Sequence, residues 1–175
     1  QGYRVARSWE KAGALPSGKT LVVAAPGNLP PPSKRGDVFR QAAVKALDTL
    51  SRNPNGFFLM IEGSNIDKAA HSNNLEEMME ELLDFDRTAG AVLDWASKHP
   101  GTLVVITADH NTGAFALTGG SREQGEITGR FGSGSHDGVA VPVYAFGAGS
   151  GDFTGIYENT DIFNKIMNAF KKGAD

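Results

Sequence analysis

The residues of this chain best suited to chemistry are carboxylates and imidazoles set among small residues. Glu62 follows FFLMI, Asp67 and His71 stand four apart in NIDKAAH, Asp109-His110 follows TLVVIT, and His136 lies in GSGSHDG. On a helix, Asp67 and His71 would share one face a turn apart, close enough to grip one cation. The chain contains no cysteine, so carboxylates and imidazoles are the donors it can offer a divalent metal. Zn²⁺ suits the histidine-bearing part, and Glu62, without a nearby imidazole, suits the harder Mg²⁺. Each feature alone has a plainer account. An Asp/His pair at i,i+4 is usually a solvated helix face, and an acid after an apolar strand often marks the exit to solvent. Their conjunction beside Gly63, Ser64, Ala69, Ala70, Ala108 and Gly113 favours a metal site. It does not name the reaction. The fourth histidine, His99, precedes Pro100 and is expected to cap a helix C-terminus or lie in solvent.

The elements that must position these groups are legible in the apolar pattern. Continuous apolar runs predict buried strands over residues 20–25 (TLVVAA), 57–61 (FFLMI), 102–107 (TLVVIT) and 139–146 (VAVPVYAF), the last at an edge or bulge because of Pro142. Helical spacing predicts a helix from residue 38 to about 52 behind an Asp37 N-cap, and another from 75 to about 98. A third follows Thr160, with Ile162, Phe163, Ile166, Met167 and Phe170 as its stripe. GNLPPPSKRGD reads as a surface loop, and residues 111–135 as a Gly-rich polar loop with a short strand-like piece near Phe115. Apolar strands alternating with amphipathic helices give an α/β class, with a mostly parallel sheet covered by helices on both faces. In such sheets ligands bind beyond the carboxyl ends of the strands, where Glu62 and Asp109-His110 would fall together.

Length and composition fit one ordinary globular domain over residues 1–175. Lys+Arg number 17 and Asp+Glu 20, a net charge of -3 that speaks against a nucleic-acid or membrane-surface partner. The longest apolar runs are too short to cross a bilayer.

GFFLMIEGSNIDKAAH, TLVVITADHNTG and the tail from SHDGVAVPVYAFGAG through FTGIYENTDIF are similar, in order and spacing, to consecutive segments of alkaline phosphatases. The likeness extends from about Val38 onward, and more weakly over GYRVARSWEKAG. Sulfatases, phosphonate hydrolases and metal-dependent phosphoglycerate mutases share the fold, but the GFFLMIEGSNID wording favours alkaline phosphatase. The resemblance implies phosphomonoester hydrolysis, with Asp67, His71 and His136 on one Zn²⁺, Asp109 and His110 on a second, and Glu62 at a Mg²⁺ site. In that family one zinc activates a serine nucleophile, while the other stabilises the leaving oxygen and supplies the water.

The departures are equally informative. The family's nucleophilic serine, the aspartate bridging the second zinc and magnesium, the magnesium-binding threonine and the phosphate-clamping arginine have no counterpart here. No serine of this chain stands in a matching context. The resemblance therefore implies a C-terminal portion of a larger catalytic domain, inactive alone, with second-zinc and magnesium sites incomplete. Residues 111–135 would be a reduced insertion loop. The upstream segment of the same enzyme is the implied partner, beside a phosphomonoester substrate and a homodimer mate, in the periplasm or outside the cell. The alternative is a non-catalytic metal-binding module or pseudo-enzyme.

Overall fold

In a computed structural model, which describes residues 2–12 and 18–172, the chain is an α/β structure. Ser17, one of the serines considered above, lies outside the described residues. In order, β1 (Arg4–Ala6), α1 (Trp9–Ala12) and β2 (Thr20–Val22) lead into α2 (Pro32–Arg35) and α3 (Val38–Leu50). Then come α4 (Ser64–His71), α5 (Leu75–Ser97), β3 (Leu103–Thr107), β4 (Asn111–Thr112), β5 (Ala116–Ser121) and β6 (Glu126–Arg130). The chain continues through β7 (His136–Asp137), β8 (Val143–Gly147), a 3-10 turn (Ser150–Phe153) and α6 (Asp161–Lys172).

The helix expectations hold closely. Asp37 does sit at the N-cap of α3, but its carboxylate takes Arg40 Nε at 2.8 Å rather than a backbone N–H. The arginine fork outcompetes a single amide donor. Asn74, not singled out in the sequence, caps α5, its side chain accepting from Glu77 N–H at 3.2 Å while donating to Glu77 Oε2. Asn74→Ala should therefore destabilise the fold by about 1 kcal/mol. A thermal-melt difference within error of zero would show that this cap contributes nothing. α4 ends just before it through Asn73, whose φ of 53° is tolerated by asparagine. Asn73 N–H then reaches Ala70 O and Asn74 N–H reaches Ala69 O, the paired bonds that close a helix C-terminus.

The mostly parallel sheet is corrected by the strand pairing. Among the described residues four two-stranded ladders form. β1–β2 is parallel, whereas β3–β8, β4–β7 and β5–β6 are antiparallel. Apolar content reports a drive to leave water, not which neighbour a strand takes or whether it is covered: β2, expected to be buried, is exposed along its length, with Leu21 50% exposed. Residues 57–61 make this plain: they join no ladder among the described residues, and Phe58 and Met60 are 61% and 74% exposed. No described segment covers that face. The predicted loop over residues 111–135 instead contains the β5–β6 hairpin, with a bulge between Leu117 and Gly119. β8 starts only after Pro142, which lacks the N–H that a ladder needs.

Two packing features matter for the site. α4 sits on a small core of Ala69, Ala70 and Met78, flanked by Ile66, Leu75, Phe115 and Phe131. Its other support is α2, a short helix inside the predicted GNLPPPSKRGD loop, with the residues just before it. Arg35, buried to 5% exposure, forks onto Glu81 at 2.8 and 2.6 Å and reaches Asp84 at 2.6 Å. Asn65 of α4 donates to the same Glu81 and to Leu29 O, and Lys68 donates to Asn28. One charged cluster thus ties the proline-rich segment, α4 and α5 together. The apolar stripe of α6, by contrast, leaves Phe163 66% exposed.

Candidate metal centre

The last two turns of α4 present Asp67 and His71 on one face, as their spacing predicts. His136 arrives from β7, whose register with β4 pairs Thr112 with His136 and Asn111 with Asp137. That register is held by Asp137. Its carboxyl lies below its ordinary value because Val139 N–H donates to it, with Asn111 Nδ2 adding a 2.8 Å bond. Gly113, at φ 81°, permits the tight approach: a Cβ there would lie 2.8 Å from the Phe131 ring and 3.1 Å from Ala70 O.

The resulting cluster has three converging donors. His71 Nε2 lies 3.0 Å from His136 Nε2 and 3.5 Å from Asp67 Oδ1, and His136 Nε2 lies 3.7 Å from the same oxygen. A tetrahedral Zn²⁺ with bonds of about 2.0–2.1 Å needs donors about 3.3 Å apart. The three distances bracket that value. The tautomer is also suitable. His71 Nδ1 is 2.7 Å from Gly134 O, and a carbonyl only accepts, so Nδ1 carries the hydrogen. In the neutral ring this leaves the Nε2 lone pair facing the cluster, the usual orientation of a metal-binding imidazole.

The other candidates fall around this group. His110 stacks on His136 with ring centroids 3.6 Å apart, and its Nε2 lies 3.2 Å from Asp109 Oδ2. Asp109 is 86% exposed, so this pair faces solvent with two donors side by side. Glu62 lies exposed in the segment before α4 and, among the described residues, no hydrogen bond or ion pair holds its carboxylate. His99 is apart from all of these. It stacks flat on Trp95 at 3.7 Å and donates to Trp95 O at 2.7 Å, the C-terminal cap expected for it.

Thr112 and Gly134 were not singled out by the sequence pattern. Thr112 is buried, donates to Asp67 Oδ1 at 2.7 Å and lies 3.1 Å from His110 Nδ1. With residues 111–135 read as a loop, the sequence carried no signal for it; β4 sets Thr112 beside His110 only in the structure.

A family model described as alkaline phosphatase matches residues 28–129, more than half of the chain. The chain belongs to the alkaline phosphatase family. Alkaline phosphatase 4 of Bacillus subtilis is 29% identical over a match covering 77% of this chain and 44% of its own length. Alkaline phosphatase H of Pseudomonas aeruginosa is 31% identical, covering 79% and 33% respectively. Among solved structures, a variant of the alkaline phosphatase from the Antarctic bacterium TAB5, with magnesium bound, superposes with a TM-score of 0.84 at 33% identity. That match takes in 97% of this chain and 52% of the other. The chain thus spans about half, or less, of the length of these alkaline phosphatases. No helix among the described residues is long and apolar enough to cross a membrane.

Proposed function

We propose that residues 1–175 supply metal ligands to a phosphomonoesterase of the alkaline phosphatase type. The observation that carries this reading is the convergence of His71 Nε2, His136 Nε2 and Asp67 Oδ1 at spacings suited to one tetrahedral cation. Asp67, His71 and His136 would hold one Zn²⁺. Asp109 and His110 would give two ligands to a second, and Glu62 one ligand to Mg²⁺. Once bound, such cations neutralise charge on the attacking and departing oxygens of an in-line phosphoryl transfer.

The chain's own residues orient those donors. Gly134 O fixes the His71 ring, the β4–β7 register brings His136 to α4, and the Arg35–Glu81–Asn65 contacts hold α4 in place. The nucleophilic serine, the bridging aspartate and the phosphate-clamping arginine would come from another segment of the same enzyme. In this reading residues 1–175 form a single-domain portion of a larger catalytic domain, with residues 111–135 as its shortened insertion. The exposed Phe58 and Met60 support it, since an apolar strand in a finished sheet is covered. A homodimer and a periplasmic or secreted location follow from family membership only.

Hydrolysis of p-nitrophenyl phosphate at alkaline pH tests the proposal. Residues 1–175 alone should show no turnover above a metal blank. Joined to the remaining segment, in cis or as a separate chain, they should show turnover in the ordinary range of about 1–10³ s⁻¹. His71→Ala should abolish it. Turnover by residues 1–175 alone, lost in His71→Ala, would place a nucleophile within them and sink the division of labour. Zinc binding without turnover in the joined protein would leave a metal-binding module.

A further inference from the structure

We infer that Thr112 is a positioning residue that links the Asp67–His71–His136 cluster to the Asp109–His110 pair through its hydroxyl. The inference rests on the metal-centre reading above but concerns a residue outside its ligand set. Thr112 sits in β4 at 8% exposure, opposite His136 in the β4–β7 ladder. Its Oγ1 lies 2.7 Å from Asp67 Oδ1 and 3.1 Å from His110 Nδ1.

The hydrogen inventory settles the direction of both bonds. A threonine hydroxyl has one hydrogen, and an ionised carboxylate only accepts. The hydroxyl hydrogen therefore goes to Asp67, and His110 Nδ1 must donate to the hydroxyl oxygen. Two consequences follow. One lone pair of Asp67 Oδ1 is engaged by Thr112, which leaves another directed towards His71 and His136. His110 is held with hydrogen on Nδ1, so its Nε2, beside Asp109 Oδ2 at 3.2 Å, has a free lone pair when the ring is neutral. A single hydroxyl thus orients a carboxylate in one donor group and selects the tautomer in the other. Such supporting contacts carry about 10–100-fold in metal affinity where they have been removed.

The test uses two substitutions and two readouts. Thr112→Val keeps the shape and removes the hydroxyl; Thr112→Ser keeps the hydroxyl and removes the methyl. Titrating zinc into the metal-stripped protein should show Thr112→Val weakened by ~10–100-fold, with Thr112→Ser close to the unsubstituted protein. Nitrogen NMR of metal-free protein at alkaline pH should show His110 protonated on Nδ1 in the unsubstituted protein and in Thr112→Ser. In Thr112→Val the Nε2–H form should appear.

Zinc affinity lost in Thr112→Ser but kept in Thr112→Val would mean that packing of the methyl, not the hydroxyl, is at work, and would overturn the inference. So would an Nε2–H tautomer of His110 in the unsubstituted protein. If Thr112→Val fails to fold, the serine variant and the tautomer of the unsubstituted protein still decide. His71→Ala titrated alongside separates the two levels of the argument. Zinc affinity insensitive to His71→Ala sinks the ligand reading, whereas affinity sensitive to His71 but not to Thr112→Val sinks only the role of Thr112.

Discussion

Zinc titrated into the metal-stripped protein is expected to fill one tight site at about one equivalent, and His71→Ala or His136→Ala to weaken it by no less than ~10–100-fold. The expectation follows from counting donors. With both imidazoles present, two nitrogens and one oxygen lie 3.0 to 3.7 Å apart, near the edge length of a tetrahedral zinc shell. With either imidazole gone, two protein donors remain. Loss of mere supporting contacts costs ~10–100-fold, and loss of a ligand costs no less. The substitutions should spare the fold, because the His71 and His136 side chains are 39% and 51% exposed and their removal opens no core cavity. His99→Ala is the matched control: its ring stacks on Trp95 at the end of α5, so zinc affinity should not change. Isothermal titration decides the matter. A tight site that survives both His71→Ala and His136→Ala would mean that zinc binds elsewhere.

Arg35→Met is expected to destabilise the protein by about 3–5 kcal/mol, the usual cost of leaving a buried charge without its partner. Arg35, Glu81 and Asp84 have side chains 5%, 4% and 7% exposed, so water cannot replace the lost guanidinium. The cluster already holds two carboxylates against one cation, and methionine would strand both. Against a total stability of about 5–15 kcal/mol, that loss approaches unfolding. Arg35→Lys should lose less, since it keeps the charge but not the two-pronged contact with Glu81. Urea titration reads both variants. An Arg35→Met midpoint equivalent to a change under about 1 kcal/mol would show that the cluster is dispensable. Because Asn65 of α4 shares Glu81 with Arg35, a loosened α4 should also lower zinc affinity in this variant.

What could be read from the chain alone were properties carried by a few neighbouring residues. Asp67 and His71 share a helix face because their i,i+4 spacing matches the helical repeat, and α4 does form over Ser64–His71. The start of α3 after Asp37, the end of α5 before Pro100 and the start of α6 after Thr160 were legible, since such start and stop signals act locally, whereas the Asn74 cap of α5 was not singled out. Family membership followed from three motifs in order. Strand pairing did not follow. FFLMI and TLVVIT look alike as apolar runs, yet the first joins no ladder among the described residues, while TLVVIT pairs antiparallel to Val143–Gly147 as β3. Hydrophobicity reports the drive to leave water, and only the tertiary arrangement says which backbone accepts the hydrogen bonds. The centre divides in the same way. Its donors are visible as residue types, but His136 reaches His71 only because β7 pairs with β4, and the His71 tautomer depends on Gly134, 63 residues away. Thr112 is the clearest case: in sequence it lies in what reads as a Gly-rich polar loop, and its contact with Asp67, 45 residues distant, exists only in the fold.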